Sequence, residues 1–257
     1  MDDNLRELVL GVLTAGVTAA LGWFLRTHLW RRRLRRTQRF FGLPPHSRCL
    51  LVVNNDPSVT ERAVARHDVY ALLELSALIK DCEAQADIVA HDAAEQGFGE
   101  RTEFCLGGPV SNSRTAAHLK SLLPGVSVGT DPEPGPDRAA FTIGGETHRM
   151  EKGTSEHVLL ARLTAGENGT QRPVFLFAGQ TGITNQAAAR YLARHHVRLA
   201  RRHGHKGTFC LLLRVHNSEA YGPDMVELVA DVTRAATAPP AAASGGGTRR
   251  GSARASG

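Results

Sequence analysis

The chain has 257 residues, 42% of them apolar and 5% aromatic, and a formal net charge of +6. That length accommodates one domain of ordinary size with appendages, or two small ones. The charge is uneven: residues 1–45 carry +5, residues 234–257 carry +4, and residues 46–233 are left with −3. Two basic ends around a mildly acidic middle are not a nucleic-acid footprint, so nucleic acid is set aside as a partner.

Residues 8–25 contain no charged side chain. Eighteen residues of helix are about 27 Å long, near the thickness of a bilayer core. Trp23 and Trp30 stand at the far end, followed by Arg26, Arg31, Arg32, Arg33, Arg35, Arg36 and Arg39. A secretory signal would place its basic residues first and follow the apolar run with a small-residue cleavage site. A surface-lying amphipathic helix would need a polar face, whereas Thr14 and Thr18 alone interrupt the run. The pattern predicts a single transmembrane helix over residues 8–25, with residues 1–7 outside and the rest at the cytoplasmic face of the cell membrane. The lipid bilayer is thus the expected partner. Gly11, Ala15 and Ala19 form a small-residue row that permits helix pairing and a homo-oligomer.

Residues 26–47 read as a basic juxtamembrane segment and linker, stiffened by Pro44 and Pro45. Residues 48–234 then alternate strand and helix. Strands are expected at 48–53, 86–90, 102–106, 126–128, 140–143, 158–163, 173–178, 208–215 and 225–232. Helices are expected at 67–85, 113–122 and 185–202. That alternation predicts an α/β domain, Rossmann-like, with a mainly parallel sheet and helices on both faces. Glu74 is expected to be exposed on its helix, and the basic face of residues 190–206 to be solvated. Residues 235–257 lack apolar periodicity and read as a disordered tail. Cys49, Cys82, Cys105 and Cys210 form no C-x-x-C pair and read as buried, reduced thiols, with no metal site implied. Asn168-Gly169-Thr170 matches a glycosylation sequon that a cytoplasmic domain would not use.

Two places share one arrangement, in which an apolar strand ends in a glycine loop and a helix begins at once. The first loop holds Gly107, Gly108, Pro109, Ser111 and Asn112 and leads into Arg114 and Thr115. The second holds Gly179, Gln180, Thr181 and Gly182. Glycine lets backbone approach a ligand, and a helix's first turn offers N–H groups and a partial positive charge, which suits phosphate. In open α/β sheets such loops lie at the ligand-binding edge. Arg114 would neutralise the phosphate and Asn112 would orient it. The alternative is a tight turn capped by Ser or Thr. Asp56 follows the first strand to the same edge, as a ligand contact or a helix cap. Residues 144–145 suit a hairpin turn. No complete catalytic or cofactor motif is present; if there is turnover, Asp56 and Glu146 are the nearest carboxylates.

The run EFCLGGPVSNSRTAAHL at 103–119 resembles Gly-Gly-Pro loops of Rossmann-like nucleotide-sensing domains related to the LOG and Smf/DprA superfamily. That resemblance implies a Rossmann-like fold and a nucleotide ligand. The second signature of those domains, P-G-G-x-G-T-x-x-E, has only residues 179–182 as its counterpart, without the acid. Phosphoribohydrolase activity is therefore not implied. Three functions stay open: a membrane-tethered module sensing a nucleotide or another phosphorylated small molecule, a hydrolase of N-glycosidic or phosphoester bonds, and a scaffold for a protein partner.

Overall fold

The computed structural model describes residues 2–56, 63–93, 99–131, 133, 135–164 and 172–239; side chains of residues 2–12 and of Thr14 are outside that description. Ser58, the other residue able to cap a helix after the first strand, the sequon at Asn168 and tail residues 240–257 therefore lie outside the described residues. In chain order the elements are α1 (Asp2–Phe41), β1 (Arg48–Val53), α2 (Arg66–Asp81), β2 (Gln85–Ala90), β3 (Glu103–Leu106), α3 (Ser113–Leu122) and β4 (Val126–Val128). These are followed by β5 (Phe141–Ile143), β6 (Glu146–His148), β7 (Ser155–Thr164), β8 (Pro173–Gly179), α4 (Gly182–His203), β9 (Phe209–His216), α5 (Ser218–Tyr221), β10 (Val226–Asp231) and α6 (Thr233–Thr237).

Seven strands form one sheet in the order β10-β9-β7-β8-β3-β1-β2. Strands β8, β3, β1 and β2 run parallel to one another, while β7 is antiparallel to both β8 and β9, and β10 is antiparallel to β9. Five of the seven strands therefore point the same way. The central strands are apolar along their whole length because both sheet faces are covered. In β1 every residue from Cys49 to Val53 is buried, and in β8 every residue from Pro173 to Ala178.

One face carries α2 and α4, which pack on each other and on the sheet. Ala187, Ala188 and Ala189 are fully buried, and their small side chains let α4 lie close to the strands. The other face is covered by α3, α6 and a small antiparallel sheet, β4-β5-β6, closed by the hairpin at Gly144 and Gly145. Helix α2 ends four residues earlier than the apolar spacing suggests. The chain turns there, with Glu83 in the left-handed region at φ 58°.

The segment expected to be a linker is instead part of the core. Helix α1 continues unbroken to Phe41, and Phe40, Phe41 and Leu43 are fully buried. Phe41 lies 5.4 Å from the Phe175 ring, and Phe40 stacks 6.3 Å from Phe209. Buried Arg162 holds this end of the helix: it donates to the carbonyls of Phe40 (3.0 Å), Gly207 (2.9 Å) and His205 (2.9 Å). Burial pushes its pKa down to about 10, a cost offset by those three bonds and by the Phe40 and Phe175 rings beneath it.

Among the described residues no helix is long and apolar enough to cross a membrane. The described part of α1 from Leu13 to Leu25 is exposed throughout, Leu13, Val17, Leu21, Trp23 and Phe24 included. Two further expectations are corrected. Glu74 is not a free surface acid: Arg190 donates to it at 2.7 Å and Gln186 at 3.1 Å, tying α2 to α4. The tail does not begin at residue 235, because α6 runs to Thr237 with Ala236 fully buried against β9 and β4.

Candidate functional site

The parallel strands β1, β3 and β8 deliver their carboxyl ends to one edge, and the loops that follow them enclose a cavity of about 490 Å³. Asp56, Gly108, Pro109, Ser111, Gly179, Gln180, Thr181 and Gly182 line it. The two glycine loops touch. A Cβ on Gly108 would stand 3.2 Å from the Gly179 carbonyl oxygen, so glycine is what permits that approach. Gly107, behind them, adopts φ +100°, and a side chain there would run into Asn54 and Ser111. Its N–H donates to the Phe177 carbonyl, joining β3 to β8.

Three residues expected at the ligand are structural instead. Asn112 is fully buried as the N-cap of α3: its side-chain oxygen accepts from the amides of Arg114 and Thr115, both at 3.0 Å, and its amide donates to the Leu106 carbonyl. Thr115 is fully buried. Arg114 points back along α3 into a two-pronged ion pair with Glu103, 2.8 Å at each contact, and His118 joins the same carboxylate at 3.1 Å. Burial pushes the Glu103 carboxyl up, but the hydrogen bonds from His118 and Arg114 outweigh it and hold the group at about 2.

Glu103, Cys105 and His118 also bring metal-ligand atoms within 4.8 Å of one another. The Arg114 guanidinium already occupies the carboxylate, and burial pushes the Cys105 thiol well above its ordinary range. The cluster is an ion network that fastens α3 to β3. Burial likewise pushes Cys49, Cys82 and Cys210 up to about 12, which leaves them protonated and inert.

The free positive groups at the cavity lie elsewhere. Arg138, in the loop between β4 and β5, lines the cavity and makes no ion pair among the described residues. Helix α4 begins at the cavity wall with Thr181 as its cap. The Thr181 hydroxyl accepts from Thr184 N–H and donates to Glu156 at 2.8 Å. That cap leaves the Gly182 and Ile183 amides without a hydrogen-bond partner among the described residues, and the helix adds its own partial positive charge. In α3, by contrast, both corresponding amides are engaged: Arg114 N–H donates to the Asn112 side chain and Ser113 N–H to His91 Nδ1. Gln180 faces the small sheet: its amide donates to the Ala139 and His148 carbonyls, and its oxygen accepts from His157 N–H.

The cavity floor holds a carboxylate that sequence reasoning overlooked. Asp68, in the first turn of α2, is 2% exposed. One of its oxygens accepts from the Asn54 amide and the other from the Asn185 amide, both at 2.8 Å. Burial raises its pKa, and the two amide bonds only partly restrain that rise. Asn54, after β1, has a buried side-chain oxygen with no partner among the described residues. Asp68 falls in a helical register of apolar residues, where its neighbours gave no sign that it would face Asn54 and Asn185 across 14 and 117 residues. Asp56 lines the cavity and is not the cap of α2, which starts at Arg66 with Ala65 before it. Glu146 is exposed on the hairpin of the small sheet and does not line the cavity.

No protein-family model, curated protein or solved structure matches this chain.

Proposed function

We propose that this protein is a membrane-tethered Rossmann-like module that binds a nucleotide or another phosphorylated small molecule in the cavity at the strand edge, as a sensor. The cavity itself carries this reading. It is concave, of ligand size, and lined by both glycine loops at the start of α4. Phosphate fits the free amides of Gly182 and Ile183 with Arg138 as counter-charge. Asp68 and the unpartnered Asn54 oxygen are acceptors, which suits hydroxyl groups such as those of a ribose.

The tether rests on α1. Its uncharged run starts at Leu8, ahead of the first described side chain, and every described side chain from Leu13 to Leu25 is exposed, Leu13, Val17, Leu21, Trp23 and Phe24 among them. A helix apolar on every side belongs in a bilayer or a core. The arginines that follow support a cytoplasmic position for the α/β domain by the positive-inside rule. Extraction of membranes at alkaline pH should leave the chain in the pellet; release into the supernatant would remove the tether.

Thermal unfolding of the full chain against nucleotides and nucleotide sugars tests the ligand. A compound that binds only the folded state adds about 2.7 kcal/mol at a hundred times its Kd. Arg138→Ala should weaken that shift, and Arg114→Ala should preserve it. A well-folded protein that shifts with no compound would favour the protein-scaffold reading.

Asp68 favours a second reading, hydrolysis of a bond in the bound nucleotide. A buried carboxyl with a raised pKa at a cavity floor is the usual form of a general acid or base. If so, Asp68→Asn abolishes turnover of a bound nucleotide without abolishing its binding.

A further inference from the structure

A second hollow lies on the other side of the molecule, between the C-terminal half of α1 and the basic helix α4, with a volume of about 1070 Å³. Leu29, Trp30 and Phe40 of α1 face Val197 and Ala200 of α4 across it. The rim is formed by Arg26, Arg32, Arg33 and Arg36 from one helix and Arg201 from the other. None of the five makes an ion pair among the described residues, and no acid lines the hollow. Elsewhere on the domain, Arg48, Arg114, Arg149, Arg190 and Arg214 all have carboxylate partners. Five guanidinium groups without a carboxylate partner among the described residues, set around an apolar floor, suit an anionic, partly apolar occupant.

We propose that this groove binds one anionic phospholipid, its phosphate among Arg32, Arg33, Arg36 and Arg201 and its acyl chain running along Leu29 and Trp30 toward the bilayer. The position fits. Arg33 lies about 12 Å along the helix from the end of the uncharged run, so the groove opens where α1 leaves the hydrocarbon. Phe40 and Phe41, with His196 of α4 6.5 and 5.5 Å from their rings, fix the two helices at its closed end. An unanchored solute phosphate would satisfy the arginines but leave the Leu29 and Trp30 surface in water. Through α4 the groove connects to the cavity at the helix's other end, where Gly182 stands. The proposal rests on the membrane tether and is independent of any ligand in that cavity.

The test uses the full chain with Trp23→Phe, which leaves Trp30 as its one tryptophan. It is reconstituted into phosphatidylcholine vesicles that contain brominated phosphatidylglycerol or, at the same fraction, brominated phosphatidylcholine. Enrichment of the anionic lipid at Trp30 should be about tenfold or more. Arg33→Gln/Arg36→Gln/Arg201→Gln should remove the preference. Arg31→Gln/Arg35→Gln/Arg39→Gln removes the same charge from arginines outside the groove and should retain it. Equal quenching by both lipids, or equal loss in both triple variants, would overturn the groove and leave only a diffuse basic surface. Failure of the chain to float with either kind of vesicle, observed before any quenching, would overturn the tether and the proposal together.

Discussion

Replacing Arg114 by alanine would leave the Glu103 carboxylate buried at the edge of β3, with His118 as its remaining side-chain partner. With Arg114 in place the Glu103 side chain is 1% exposed, and alanine returns neither charge nor donor to it. A carboxyl held at about 2 instead of 4.5 represents about 3 kcal/mol of preference for the ionised, folded form. Breaking one side of a buried pair costs about 3 to 5 kcal/mol. For a domain of this size, 3 kcal/mol lowers the unfolding midpoint by roughly 6 to 12 °C. The pH dependence has a definite sign. The folded pKa is depressed, so the contribution is complete above the unfolded value of 4.5 and is lost as pH falls toward about 2. The difference in urea stability between wild type and Arg114→Ala should therefore be large at neutral pH and shrink through that window. An Arg114→Ala protein that unfolds at the wild-type temperature but no longer responds to a ligand would refute the reasoning and return Arg114 to the binding site.

Asp68 should behave in the opposite sense. Its folded pKa is raised by burial, so the proton favours the folded state. That contribution is present below the unfolded carboxylate pKa and lost as pH rises through the folded one; wild type should gain stability relative to Asp68→Asn on acidification, measured by urea unfolding. Gly107→Ala forces a Cβ into Asn54 and Ser111 at a φ of +100°, which should cost about 2 kcal/mol in denaturant unfolding and abolish any ligand-induced shift. Arg162→Ala leaves the carbonyls of Phe40, His205 and Gly207 without a donor. Limited proteolysis should then cut at residues 42–47, where the wild type resists; equal resistance would show that the phenylalanines alone hold α1 in place.

Much of the architecture followed from local pattern. Uninterrupted apolar runs such as residues 49–53 and 173–178 identify strands buried on both faces, and the glycines directly after residues 103–106 and 173–178 identify the strand edge where loops converge. These features depend on a few adjacent residues, so composition and spacing are enough to reveal them. The cavity at that edge, with Asp56 and both glycine loops around it, is the result. The sequence could not assign partners to polar side chains, because pairing depends on distance in space. Arg114 looked like a phosphate ligand until Glu103, eleven residues earlier, was brought beside it. Arg138 lies in a proline-rich loop and gained its place only when the small sheet folded over the strand ends. Asp68 met Asn185 only when α2 packed on α4. The same holds for Phe40 and Phe41, which read as a linker because nothing nearby in the chain indicates the apolar face of β8 and β9 that buries them.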